Sequence, residues 1–382
     1  MQESRYIYIA CPWTPKGGGM FKVADYLIQS QAPLTTTEGA DLRPLDTRGG
    51  FSALYSLAVL ARAVAKLVGG RLSGRLAGVH INMAERLSLF RKGVILLACR
   101  ALGLPVVLHL HAAQLHHFYR DLPAPLQGLI RWLFSLPASC LVLGQAAGRF
   151  VTEELRVPAE RVEILSNGVP EPTHARRQPG ESTVQRVLFV GNLSERKGVS
   201  DLLQALALPG FDPTQLEVTF AGGGDVASYE AKARQLGIDN FVRFAGWSDQ
   251  QQVAQLMAMA DVLVLPSYDE GLPLVILEAL ANGVAVVCSP VGEIPSVMTD
   301  DVNACFVAPG DVAGIAKGLQ RVLQQPLLRL ALERNGRALY EESFSLTRFF
   351  SSVAKIHQRH FGIAAQQLKD STLSGRKCAC DF

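Results

Sequence analysis

YDEGLPLVILEAL, residues 268–280, is the stretch on which the fold turns. Before it stands the apolar run VLVLP (262–266), and after it VAVVC (284–288). Short Val-rich runs bounded by turn residues read as buried strands of a parallel sheet. Between them Pro273 suits the first turn of a helix, and Asn282-Gly283 supplies its stop. Glu270 then falls in the loop at the strand's C-terminal end, and Glu278 in the second turn of the helix. Open parallel sheets bind ligands at that edge, where helix N-termini offer free amides and a positive dipole. An E-x7-E spacing alone describes solvated surface more often than a site, because Glu is mostly exposed. Here Glu278 sits within LVILEAL, whose neighbours read as core. A carboxylate there needs hydroxyl or cationic partners against its desolvation.

Strand, PS-x-x-EG-x-P-L-x-x-L-E-A, strand, with the motif on residues 266–279, resembles the signature of the retaining nucleotide-sugar glycosyltransferases called group 1. The resemblance implies an α/β chain of the GT-B fold, with two facing Rossmann-like domains, parallel sheets and an interdomain cleft. It implies that Glu270 hydrogen-bonds donor-sugar hydroxyls and that Glu278 reads the ribose. Gly271, Leu272 and the amides of Leu274 and Val275 would approach the diphosphate.

Upstream, VLFVGNLSERKGVSDLLQAL (187–206) reads as buried strand, loop and amphipathic helix, with Gly191 and Gly198 bracketing the loop. Arg196-Lys197 would by itself be solvated charge. The family pattern is G-R-x-x-x-x-K-G, whose two cations neutralise the leaving diphosphate. Lys197 matches it, whereas Asn192 stands where the Arg is expected. Arg196 is the candidate substitute, since a guanidinium suits phosphate by paired donors. VTFAGGGD (218–225) reads as strand and turn near the nucleotide base, and Trp247 lies at the loop where such enzymes seat that base. Core packing is an equal reading for a lone Trp. The resemblance is specific over 187–311 and looser over 1–170.

In the first half, residues 5–10 read as a strand, PWTPKGGGM (12–20) as a loop and FKVADYLIQ as a helix opening. Strand, glycine-rich turn and helix is how phosphate-binding folds begin, although G-G-G-M is not G-x-G-x-x-G. By resemblance, Gly18 and Gly19 are candidate donor contacts. Residues 52–77 carry Arg62, Lys66, Arg71 and Arg75 on an apolar background. Such a helix can lie on anionic lipid; a crossover helix packed on the sheet is the favoured reading. GVHINM (78–83) reads as a strand, and Arg86, Arg91 and Lys92 cluster after it. They are surface charge, or a clamp for an acceptor's phosphate at the sheet edge.

PVVLHLHAAQLHHFY (105–119) runs from a strand into a His-rich loop. Zinc is disfavoured there, because no Cys or carboxylate stands at ligand spacing and adjacent histidines should point apart. His111 matches the position where this enzyme type keeps a His near the donor sugar. A neutral imidazole there could meet a sugar hydroxyl or orient the acceptor.

The boundaries follow: a first domain at 1–170, a Pro- and charge-rich linker at 171–184, a second domain at 185–342, a helix crossing back at 343–364, and a disordered tail at 365–382. A length of 382 residues, 48% hydrophobic and 19% charged, describes globular domains with sizeable cores. A net charge of +3 argues against nucleic acid. The mean hydropathy of +0.18 fits extensive buried sheet. Five of the seven cysteines sit in apolar segments as small hydrophobes, which suggests a reduced, cytoplasmic chain. Cys378 and Cys380 lack a second pair at zinc spacing. No signal peptide or membrane span is visible, so a membrane would be met from the inner face, peripherally.

Breaking an anomeric C–O bond puts negative charge on the leaving diphosphate, where Arg196, Lys197 and helix amides would act. No D-x-D appears, and no metal or cofactor is expected. The resemblance implies catalytic roles for His111, Lys197 and Glu270. The expected partners are a nucleotide sugar (UDP- or GDP-linked) and a glycan or polyprenyl-diphosphate-linked acceptor, as in exopolysaccharide, O-antigen or capsule assembly. An NAD-dependent oxidoreductase would also be α/β, but the missing G-x-G-x-x-G counts against it. A non-catalytic nucleotide- or carbohydrate-binding protein is the alternative, given Asn192.

Overall fold

The structure is a computed structural model that describes residues 4–14, 18–32, 39–50, 53–176 and 183–368. The chain divides into two compact units, Met1–Gly168 with Leu346–Phe382, and Val169–Ser345.

The first unit alternates strand and helix: β1 (Arg5–Cys11), α1 (Gly19–Gln29), β2 (Ala40–Asp46), α2 (Ala53–Leu72), β3 (Leu76–Met83) and α3 (Leu87–Ala101). It continues with β4 (Val106–Leu110), α4 (Leu115–Arg120), α5 (Ala124–Ser135), β5 (Ser139–Val142), α6 (Gln145–Arg149) and β6 (Val162–Ile164). All pairings are parallel, in the order β2-β1-β3-β4-β5-β6. β3, β4 and β5 are buried along their whole length, as strands covered on both faces must be. β2 had no legible signal, because ADLRPLD carries a proline and alternating charge. Its place at the edge is where a strand tolerates Pro44.

The second unit runs β7 (Gln185–Val190), α7 (Val199–Leu206), β8 (Leu216–Ala221), α8 (Val226–Gln235), β9 (Val242–Gly246) and α9 (Gln250–Met259). Then come β10 (Val262–Leu265), α10 (Leu274–Ala281), β11 (Ala285–Cys288), α11 (Ile294–Val297), β12 (Cys305–Phe306), α12 (Val312–Gln324) and α13 (Pro326–Leu339). Its sheet, again parallel, has the order β12-β11-β10-β7-β8-β9. The final helix, α14 (Leu346–Phe361), belongs to the first unit.

α14 is held there by an ion pair from Arg359 to Glu163 (2.6 Å) and by a buried histidine. His357 Nε2 lies 2.9 Å from His80 Nδ1 on β3, and His80 Nε2 lies 3.3 Å from His109 Nδ1 on β4. Burial without a countercharge pushes His80 down to about 4, and drives His109 and His357 well below the usual imidazole range.

Residues 365–368 correct the expectation of a disordered tail. Gln366 O accepts from Ala32 N, and Leu368 N donates to Ser30 O, so backbone pairing pins this stretch after α14. Residues 369–382, with Cys378 and Cys380, lie outside the described residues, as do 177–182 of the expected linker. The five other cysteines are buried free thiols. Among the described residues no helix is long and apolar enough to cross a membrane.

Candidate functional site

In the second unit the chain steps from β7 to β8 to β9 in one direction, and β10 then returns beside β7. That reversal is a topological switch point, so the loops after β7 and β10 open side by side at the strands' C-terminal edge. They carry the glycine loop and the Glu motif. Leu193 N donates to Gly223 O (2.7 Å), which ties the turn after β8 to the same edge.

Gly198 locks the two loops together. It is left-handed (φ 68), and a Cβ there would strike the carbonyl oxygen of Pro266, so no other residue fits. Next to it Lys197 Nζ forms an ion pair with Glu270 Oε1, and Ser267 Oγ donates to the same oxygen at 2.7 Å. Glu270 and Ser267 are buried. A carboxylate taken out of water there is tolerated because a cation and a hydroxyl satisfy it. Both bonds fall on Oε1, so Oε2 remains to accept from a ligand. Arg196 Nη1 donates to Asp269 O (2.5 Å), and Tyr268 N donates to Arg196 O (2.9 Å). From beneath, Gly292 lies against the Glu270 carbonyl so closely that a Cβ would strike it, and Glu293 N donates to Gly271 O (3.0 Å).

α10 begins after Pro273, which caps the helix instead of entering its first turn. Its first turn-closing donor is Ile276 N, bonded to Pro273 O at 3.1 Å. The amides of Leu274 and Val275 precede it and stay outside the helix ladder, at the positive end of the dipole. Glu278 is half-buried one turn further on, and Leu272 is buried, so only its backbone can meet a ligand. Trp247 is 55% exposed, which excludes the core-packing reading. A Cβ at Gly223 would lie 3.8 Å from its ring and 3.9 Å from Asn192 Oδ1, so these three residues share one rim.

In the first unit His111 follows β4. Its N–H donates to Met83 O (2.7 Å), and its Nε2 lies 2.8 Å from Oδ1 of Asn82 on β3. Since a carboxamide oxygen only accepts, Nε2 carries the proton and Nδ1 offers a lone pair. Desolvation, with His80 and Lys92 nearby, pushes His111 down to about 3, which keeps it neutral. Gly18 caps α1 and Gly19 begins it, both exposed. Arg86 is exposed and Arg91 half-buried.

Lys92 departs from the expectation of a surface or clamp residue. It is fully buried, its ammonium donates to Thr47 Oγ1 (2.7 Å), and burial pushes it down to about 8. Position 92 lies on the inner side of α3, where helical periodicity turns it into the core. His116 and His117 also differ from expectation, since their rings lie 3.9 Å apart instead of pointing away. Ser267 and Asn82 were missed. Ser267 lay within the quoted motif, and Asn82 was legible as a polar residue in the apolar strand GVHINM.

Residues 172–339 match the family model described as glycosyl transferases group 1. That stretch, which lies within the second unit, carries the group 1 glycosyl transferase pattern. A D-inositol 3-phosphate glycosyltransferase of Frankia alni is 34% identical over 199 residues, covering 47% of this chain and 49% of that protein. The amylovoran biosynthesis glycosyltransferase of Erwinia amylovora is 26% identical over 210 residues, covering 53% of this chain and 52% of that protein. The chain thus spans about half the length of the curated relatives it matches. The crystal structure of Anabaena HepE in complex with UDP and glucose superimposes with a TM-score of 0.72 at 18% identity, covering 92% of this chain and 99% of that one. The chain has the GT-B fold.

Proposed function

We propose that the chain transfers a glycosyl group from a UDP-sugar to a hydroxyl of a glycan or lipid-linked glycan, with retention of configuration. The observation that carries this reading is the Lys197–Glu270–Ser267 cluster at the switch point, with Glu270 and Ser267 buried, beside the free amides of α10. In the reaction the bond from the anomeric carbon to the diphosphate oxygen breaks. A bond to the acceptor oxygen forms, and the acceptor's proton leaves with the diphosphate or to solvent. Lys197, Arg196 and the Leu274 and Val275 amides face the charge that develops on the leaving group. Those cations and dipoles take the part a divalent metal plays elsewhere, so we assign no metal and no cofactor.

Glu270 holds sugar hydroxyls, Glu278 the ribose hydroxyls, Gly271 and Leu272 pass the diphosphate with their backbone, and Trp247 stacks on the base. Gly18 and Gly19 are assigned to the donor phosphates or acceptor, and Arg86 and Arg91 to an acceptor phosphate. Neutral His111, proton on Nε2, accepts from a sugar hydroxyl through Nδ1. The UDP in the HepE structure and the amylovoran relative's role in polysaccharide synthesis support the donor and acceptor classes.

Titration calorimetry with UDP, GDP and NAD tests this directly. UDP should bind, and Glu278→Ala should weaken it at least tenfold by removing charged hydrogen bonds to the ribose, about 1.5–3 kcal/mol. Binding of NAD alone, or of no nucleotide, overturns the reading. UDP binding without transfer to any acceptor favours a nucleotide-binding protein that has lost catalysis.

A further inference from the structure

The β1 to β2 step and the β2-β3-β4-β5 steps cross the first unit's sheet in opposite directions. With right-handed crossovers, α2, α3 and α5 therefore share one face of the sheet and α1 lies on the other. Their inner sides meet in one core, with Leu67, Ile95 and Phe134 packed over Val79 and Ile81 of β3. The favoured reading of α2 as a packed crossover helix is thus only half of its structure, because its outer side is apolar too.

Twelve of the nineteen large hydrophobic side chains that the described residues expose lie on these three helices. On α3 they form a second stripe at helical spacing: Leu87, Phe90, Val94 and Leu97. On α2 the outer side carries Leu54 (79% exposed) and Leu72 (82%). On α5 it carries Leu129 and Trp132. The helices touch one another, α2 along α3, and α3 at Gly93 close to Leu133 of α5. A contiguous apolar face of this kind is unusual on a free surface.

The charge pattern says what covers it. The chain has 34 Asp and Glu, yet α2, α3 and α5 contain none, while Arg62, Lys66, Arg71 and Arg100 stand exposed beside the stripes. The nearest acidic residues in sequence are Glu85 and Asp121, in flanking loops. A second copy of the chain pairing through this face would set cations against cations. An anionic bilayer presents the opposite charge, takes apolar side chains into its acyl boundary, and accommodates Trp at that depth. We propose that the α2–α3–α5 face docks the protein flat on an anionic lipid surface. Leu54, Leu87 and Leu126 open the three helices at the strands' C-terminal edge, so the docked face reaches the rim on which His111 stands.

The test is co-sedimentation of the full chain with vesicles of phosphatidylcholine, alone or with phosphatidylglycerol. The protein should pellet with the anionic vesicles, less as salt rises, and stay in solution with neutral ones. Arg62→Ala with Lys66→Ala should weaken binding by about tenfold or more, since each surface cation counts on this scale. Phe90→Ser with Leu97→Ser should weaken it further, with the melting temperature kept because both side chains are exposed. Acyl-brominated lipid should quench tryptophan fluorescence, and Trp132→Phe should remove most of that quenching. No binding, equal binding to both vesicle types, or quenching unchanged by Trp132→Phe overturns the proposal. So does a dimer in light scattering that Phe90→Ser with Leu97→Ser dissociates, because it would mark a protein partner.

Discussion

Lowering the pH from 7.5 to 5.0 should destabilise the first unit well before its carboxylates titrate. His80, His109 and His357 form a buried row on β3, β4 and α14, joined imidazole to imidazole through His80. All three have folded pKa values depressed by burial, His80 to about 4. In the unfolded chain they titrate near 6.5. Above that value both states are neutral and the stability is fully present. As the pH falls through the window, the unfolded state takes up protons that the folded state refuses, and stability is lost. By pH 5.0 each histidine contributes about 2 kcal/mol of loss, and the three together about 6 kcal/mol. At about 2–4 °C per kcal/mol for a unit of this size, the melting temperature should fall by more than 10 °C. Glu163, whose pKa is lowered by its bonds to Ser139, His360 and Arg359 despite burial, loses its contribution only at lower pH, so it does not mask the window. Calorimetric melts at pH 7.5, 6.5, 5.5 and 5.0 read the effect. Proton NMR of the imidazole Cε1–H groups should show four resonances that do not move above pH 5, those of the row and of His111. A melting temperature flat across the range, or all histidines titrating near 6.5, refutes the reasoning.

Two further outcomes follow from the second unit. Lys197→Ala leaves Glu270 buried without its cation and should cost about 3–5 kcal/mol. Adding Glu270→Gln should restore most of that stability in urea unfolding while transfer activity stays low, which separates the structural role of the pair from its chemical one; a single variant as stable as the parent would contradict the assigned burial. Gly198→Ala forces a Cβ into the Pro266 carbonyl at a left-handed φ, so it should destabilise by more than the 1–2 kcal/mol of the backbone conformation alone and weaken UDP binding in the same preparation. Unchanged melting and affinity would show that the loop can shift.

How much of this was legible in the sequence depended on how local each signal was. The motif around Glu270, the helix stop at Asn282-Gly283 and the glycine loop were readable, because each is a strand, turn and helix start contiguous in the chain. β2 was not readable, because its pattern is set by an edge position that only the sheet order supplies. Lys92 misled because a cation in a basic cluster reads as surface, whereas its partner Thr47 is 45 residues away in sequence. The histidine row was invisible for the same reason, since His80 and His357 are 277 positions apart. Trp247 was undecidable until its exposure was known. Local chemistry was legible, and pairings made by the fold were not.

The Lys197–Glu270 pair also explains how one cation can serve both the resting site and the proposed reaction. With no donor present, Lys197 is the cation paired with a buried carboxylate. On the proposed reading, an arriving diphosphate offers Lys197 a second and more highly charged partner in the same loop. As the ammonium turns toward phosphate, Oε1 of Glu270 loses its strongest donor and becomes free for sugar hydroxyls, which replace the hydrogen bonds it gave up. Ser267, still bonded to Oε1, keeps the carboxylate in place during the exchange. Sugar and diphosphate are then held cooperatively, because each supplies what the other takes away. Arg196 need not stand where the family places its Arg, at the position of Asn192. Its guanidinium already reaches the Asp269 carbonyl beside Glu270, which on the proposed reading sets its charge next to that pair.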